Sequence, residues 1–123
     1  MTDDKIVKKI ISYIEAHLDD DISLESIADS LHYSKFYLAR TFSEQTESTI
    51  GKYIQRRRLA LAAWKLVETN KPIVEIAYEA HYNSQQAFTL AFRRLYLCTP
   101  QVYRRRGGFD IPQSQMSMRG AAA

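Results

Sequence analysis

Apolar residues along this chain recur at three- and four-residue intervals rather than on alternate positions, a period that predicts helices throughout. Ile6, Ile10, Tyr13, Ile14 and Leu18 form one stripe of a first amphipathic helix over about residues 4–17, and Asp19-Asp20-Asp21 breaks it. Ser23 is placed to cap a short helix ending near Leu31, because its hydroxyl can accept from a backbone N–H that has no helical partner. Ser34 stands in the same relation to a helix over about 35–46. A long helix is predicted from about Ile50 to Glu68, closed by Thr69-Asn70-Lys71. Pro72 suits the first turn of another short helix ending near Ala80. Asn83 or Ser84 then caps one reaching about Tyr96, and Pro100 opens a last turn. Beyond Arg106 the periodicity stops, and residues 107–123 read as a flexible tail or a linker. The expected fold class is all-α, divided into 1–49, a long linking helix over 50–69, 70–106, and the tail.

Two stretches of the pattern are copies of one another. "HYSKFYLARTF" (32–42) returns as "HYNSQQAFTLAF" (81–92). Ile27-Ala28 and His32-Tyr33 match Ile76-Ala77 and His81-Tyr82 at an offset of 49. After one inserted residue, Ser34, Leu38, Phe42, Thr49, Tyr53 and Arg56 match Ser84, Phe88, Phe92, Thr99, Tyr103 and Arg106 at an offset of 50. Each copy is a short helix, a tight turn and a longer helix. That is the helix-turn-helix unit, whose second helix lies in the major groove of DNA. On the first of these second helices, Leu38, Phe42 and Gln45 share a face, with Leu38 and Phe42 as core anchors, while Phe36, Ala39, Arg40 and Ser43 share another. On its counterpart Phe88 and Phe92 are the anchors, and Gln86, Thr89, Leu90 and Arg93 face outward. Arginine can take guanine O6/N7 and glutamine can take adenine N6/N7, each through two hydrogen bonds. Phe36, Ala39 and Leu90 suit thymine methyl groups.

Charge sharpens this picture. The net charge of +3 conceals an acidic first quarter, where residues 1–30 carry eight acids against three lysines. The remaining residues carry fourteen bases and six acids, a net of +8, with runs at Arg56-Arg57-Arg58, Arg93-Arg94 and Arg104-Arg105-Arg106. A basic stripe is the electrostatic footprint of a polyanion partner. No run approaches the roughly 18 apolar residues of a membrane span, and no charged-then-apolar leader follows Met1, so the expected location is cytoplasmic with no membrane partner. The single cysteine, Cys98, has no second cysteine to pair with and is expected to serve simple helix packing, with a reactive thiol as the alternative. No histidine pair sits at i, i+4, and there is no Gly-rich phosphate loop. No Ser/His/Asp arrangement goes beyond helix capping, so neither a metal, a cofactor nor an enzymatic activity is expected.

With these residues in view the chain resembles the DNA-binding module of the AraC/XylS family of transcription regulators, in its MarA/SoxS/Rob branch. The resemblance covers about residues 4–106 and is carried by "ISLESIADSLHYSKFYLARTF", "IGKYIQRRRLALA", "IVEIAYEAHYNSQQAFTLAFRR" and "TPQVYRR" in that order. It implies seven helices in two helix-turn-helix subdomains joined by a long linker helix. It also implies double-stranded DNA as partner and an activator that recruits RNA polymerase. A monomer is then expected to lay both recognition helices in successive major grooves. The linker length agrees independently: about 18 helical residues span roughly 27 Å, beside a groove repeat of ~34 Å.

By position in that resemblance, Phe36, Ala39 and Arg40 face bases from the first recognition helix, and Gln85, Gln86, Thr89 and Leu90 from the second. Phosphate contacts are expected from Ser34, Lys35, Lys52, Gln55, Arg56, Ser84, Arg93, Arg94 and Arg104. Three readers depart from the branch. Phe36 stands where close relatives carry Trp, Ala39 where they carry Gln, and Leu90 where they carry Arg. Each lost polar pair alters discrimination by ~1–3 kcal/mol. His32 and His81 occupy turn positions where the family often has glycine, at the cost of placing a Cβ in a left-handed conformation. Two other readings stay open at this point: the DNA-binding part of a longer effector-sensing regulator, and an all-α protein-interaction module whose basic face meets an acidic partner.

Overall fold

Seven helices follow one another along the chain in a computed structural model that describes residues 2–108. They are α1 (Thr2–Ala16), α2 (Leu24–Leu31), α3 (Lys35–Thr46), α4 (Ile50–Glu68), α5 (Ile73–Glu79), α6 (Gln85–Tyr96) and α7 (Pro100–Arg106). The tail expected over 107–123 lies outside the described residues, apart from Gly107 and Gly108. The chain divides into two compact units within α4, one running to Arg56 and the other beginning at Arg57.

Side-chain caps set most of the boundaries. Ser23 and Ser26 cap α2 reciprocally, each hydroxyl accepting from the other residue's backbone N–H at 3.0 Å. Ser34, Ser84 and Thr99 accept from the backbone N–H of Tyr37, Ala87 and Val102 to open α3, α6 and α7. The Thr49 hydroxyl does the same for Lys52 at the start of α4. Pro72 precedes α5 rather than forming its first turn, and the helix has no side-chain cap.

In the first unit Ile6, Val7, Ile10 and Ile14 of α1 are buried with Ile27 and Ala28 of α2, Leu38 and Phe42 of α3, and Ile50, Tyr53 and Ile54 of α4. Tyr13 and Leu18, the other members of the stripe read from sequence, are partly buried against this core. Gln45 departs from the expected anchor face of α3: it is exposed, and Thr41 and Thr46 are buried there instead. Thr46 can enter because its hydroxyl donates to the Phe42 carbonyl at 2.7 Å, so no polar group is stranded.

In the second unit Leu59, Ala62, Ala63 and Leu66 of α4 meet Ile76, Ala77 and Ala80, and then Phe88, Phe92, Leu95 and Tyr96 of α6. Phe92 stacks on Tyr96 at 4.4 Å between ring centroids and meets Tyr103 edge-on at 5.4 Å. Burial pushes the Tyr96 hydroxyl up to about 12, nearby Tyr103 adds to the rise and Arg57 opposes it. Cys98 is half-buried in the connection between α6 and α7.

The repeat extends to the backbone. Among the described residues four non-glycine residues have positive φ: His32 (64°), Glu47 (59°), His81 (70°) and Leu97 (64°). They form two corresponding pairs, one in each turn and one just after each recognition helix. The turns share a bond as well, since Tyr33 N–H donates to Ala28 O and Tyr82 N–H to Ala77 O, both at 3.1 Å. A left-handed residue with a Cβ costs ~1–2 kcal/mol, whereas a glycine loses ~0.5–1 kcal/mol more entropy on folding. Leu97 is 59% exposed and has little packing to lose. Leu97→Gly is therefore expected to stabilise the protein by about 0.5 kcal/mol, seen as a higher urea midpoint at unchanged slope.

Lys65 of α4 and Lys71 both bond Glu79 of α5, each at 2.8 Å. The hydrogen bonds from Lys65 and then Lys71 hold the Glu79 carboxyl below its ordinary 4.5. A depressed carboxylate stabilises the folded state above its unfolded value, and that contribution is lost as pH falls through the folded value. Glu79→Gln is expected to cost about 1 kcal/mol at pH 7, as fits a half-exposed cluster. The gap in urea midpoint between the two proteins should close as pH drops below 4.5.

Candidate nucleic-acid interface

Each recognition helix is held by its apolar side and presents the opposite side to solvent. Leu38 and Phe42 fix α3 and Phe88 and Phe92 fix α6, all four fully buried. On α3, Phe36 is 76% exposed, Arg40 and Ser43 are exposed and Ala39 is half-buried. On α6, Gln85, Gln86, Leu90 and Arg93 are exposed and Thr89 is half-buried. Gln85, Gln86, Thr89, Leu90 and Arg93 line one shallow depression. At the offset of 50, Phe36 corresponds to Gln86, Ala39 to Thr89 and Arg40 to Leu90. Both helices thus set a small half-buried residue between two larger exposed ones, and the chemistry of the larger ones differs. Phe36 at 76% and Leu90 at 54% exposure put apolar surface on these two outward faces.

The phosphate-contact candidates separate into three groups. Lys52 and Gln55 at the start of α4, and Arg93 and Arg94 on α6, are exposed. Arg56 is half-buried. Ser34 and Ser84 accept cap bonds through the hydroxyl oxygen, and a hydroxyl used in this way can still donate its own proton to a phosphate.

The structure gives Arg104 a different task. Its Nε donates to the Leu66 carbonyl at 2.8 Å and an Nη to the Thr69 carbonyl at 3.3 Å. It thereby satisfies acceptors at the C-terminal end of α4. Lys35 has a partner too: its Nζ bonds Glu25 Oε2 at 3.1 Å and lies 5.5 Å from the Phe36 ring centroid. That bond, together with a backbone hydrogen bond, holds the Glu25 carboxyl below its ordinary 4.5. Neither partnership follows a helical spacing, since the residues concerned are 38 or 35 and 10 positions apart, so no periodicity could have shown them.

A family model described as a helix-turn-helix domain matches residues 27–106. Regulatory protein SoxS of Escherichia coli strain K12 is 42% identical over 106 residues, which cover 86% of this chain and 99% of SoxS. The chain belongs to the AraC family of helix-turn-helix, DNA-binding transcription regulators. The Right origin-binding protein of the same strain is 41% identical over 100 residues, covering 81% of this chain but 35% of that protein. Among solved structures, an AraC-type transcriptional regulator from Chromobacterium violaceum superposes with a TM-score of 0.80 at 26% identity, covering 84% of this chain and 92% of that one. The AraC-type fold is therefore the fold of this chain, all helical among the described residues. No described helix is long and apolar enough to cross a membrane.

Proposed function

We propose that this AraC-family protein binds, as a monomer, an asymmetric duplex site with α3 and α6 in successive major grooves. Phe36, Ala39 and Arg40 read one half-site and Gln85, Gln86, Thr89 and Leu90 the other. Ser34, Lys52, Gln55, Arg56, Ser84, Arg93 and Arg94 hold phosphates, while Lys35 is engaged by Glu25 and Arg104 serves chiefly to close α4. Residues 50–69 act as the linker between the two readers. The protein works in the cytoplasm as an activator that recruits RNA polymerase, and it catalyses no reaction.

The observation that carries this reading is the pair of outward faces on α3 and α6. They are built on matched anchors and caps, and they carry different base-reading side chains. Two identical faces would be expected for a symmetric site; two different ones fit an asymmetric site read by one chain. A second reading, a DNA-binding part of a longer regulator, is favoured by the match to about a third of the Right origin-binding protein. It changes what controls the protein and leaves the DNA-reading assignment as it is. Selection from random-sequence duplexes at moderate salt tests the assignment. Enrichment of one motif is expected, and equal retention of all sequences would refute it.

A further inference from the structure

Glu25 lies in the first turn of α2, the first helix of the first helix-turn-helix, and its carboxylate reaches across the turn to Lys35 Nζ at 3.1 Å. Lys35 opens the recognition helix and its ammonium sits 5.5 Å from the centroid of the neighbouring Phe36 ring. Acid, ammonium and aromatic thus form a chain that ends on the most exposed large apolar side chain among the described residues. The second copy lacks all three members. At the positions corresponding to Glu25, Lys35 and Phe36 it carries Val74, Gln85 and Gln86. The device therefore belongs to the first reader and is not required to build a helix-turn-helix.

A surface ion pair of this kind adds little to stability, so its consequence is where the ammonium stays. A lysine at the N-terminal end of a recognition helix is placed to take a phosphate, a contact that adds affinity for every sequence alike. A lysine occupied by Glu25 withholds that contribution. Held beside the ring, it also limits the conformations of a side chain that otherwise loses its freedom on entering the groove.

We propose that Glu25 is a positioning residue for DNA specificity: by gripping Lys35 it keeps that charge off the DNA backbone and beside Phe36. The proposal rests on the assignment of Phe36 as a base reader. Glu25 touches no base; it acts through Lys35. Its effect is on the ratio of specific to non-specific binding, in the direction opposite to that of a phosphate clamp.

Fluorescence anisotropy across a salt series tests this, using a duplex enriched from the random library and a scrambled duplex of the same composition. Glu25→Gln is expected to raise affinity for the scrambled duplex about threefold and to lower the specificity ratio about threefold. The plot of log affinity against log salt should steepen by about 0.9, the value of one additional phosphate contact. Glu25→Asp, which keeps the charge and shortens the reach, should shift ratio and slope in the same direction. In a Lys35→Met background, Glu25→Gln should move neither. An unchanged slope and ratio in Glu25→Gln would overturn the proposal, as would an equal shift in the Lys35→Met background, which would mark a general charge effect. A wild-type protein that enriches no motif overturns the base-reading assignment itself, a failure visible before any Glu25 variant is measured.

Discussion

Phe92→Ala is expected to cost about 3–5 kcal/mol of stability, the usual loss for emptying a phenylalanine site in a packed core. The ring is fully buried and touches Phe88, Tyr96 and Tyr103, so one truncation takes a partner from three other aromatics at once. Those neighbours sit on α6 and α7, and the void lies where α6 is anchored. Set against a typical total of about 5–15 kcal/mol, the loss removes a large share of the margin. Urea unfolding followed by far-UV circular dichroism measures it directly. Phe36→Ala is the matched control: the same atoms are removed from a side chain that is 76% exposed. Its midpoint should stay within about 0.5 kcal/mol of the parent, while its DNA affinity falls. A Phe92→Ala protein as stable as the parent would mean that the aromatic cluster does not hold the second reader in place.

Arg40→Ala is the second large effect, and it falls on recognition. The guanidinium is exposed on the outward face of α3, and a two-bond contact to guanine is worth ~1–3 kcal/mol of discrimination. The variant should bind its selected site roughly tenfold more weakly and lose preference at one base position, with other positions kept. Lys52→Ala provides the contrast. Lys52 is exposed in the first turn of α4, on a different helix from the proposed base readers. Its loss should weaken all sequences alike and flatten the salt slope by about one unit. Identical behaviour of the two variants would show that reader and clamp have been assigned wrongly.

Much of this architecture is legible in the sequence because its signals are local. Ser23, Ser34 and Ser84 each mark a helix start through a bond spanning three residues. The anchors Leu38, Phe42, Phe88 and Phe92 follow from spacing alone, and the repeat doubles the evidence for each. The rest depends on tertiary context. Gln45 falls on the anchor face by the helical wheel but Thr46 takes the buried place, because a threonine can return its hydroxyl to the helix backbone. Arg104 reads as a phosphate ligand in a basic run, and only the folded chain brings it to the carbonyls of Leu66 and Thr69. The grip of Glu25 on Lys35 was hidden for the same reason: a turn, not a period, brings the two together.

The departures at Phe36, Ala39 and Leu90 bear on what is read. On the proposed assignment Ala39, half-buried and short, would admit a base edge closely without a hydrogen bond to it. Leu90 offers an apolar surface at the place corresponding to Arg40. The half-site read by α6 should accordingly depend on Gln85 and Gln86 and tolerate more variation than the half-site read by α3.

The central claim is that one chain carries two different readers, and selection from a random duplex library with three proteins tests it most directly. The parent should enrich two unlike blocks about one helical turn apart, bound by one chain per duplex. Arg40→Ala should blur only the first block and Gln86→Ala only the second. A palindromic motif occupied by two chains, or both blocks blurred by either substitution, would contradict the account.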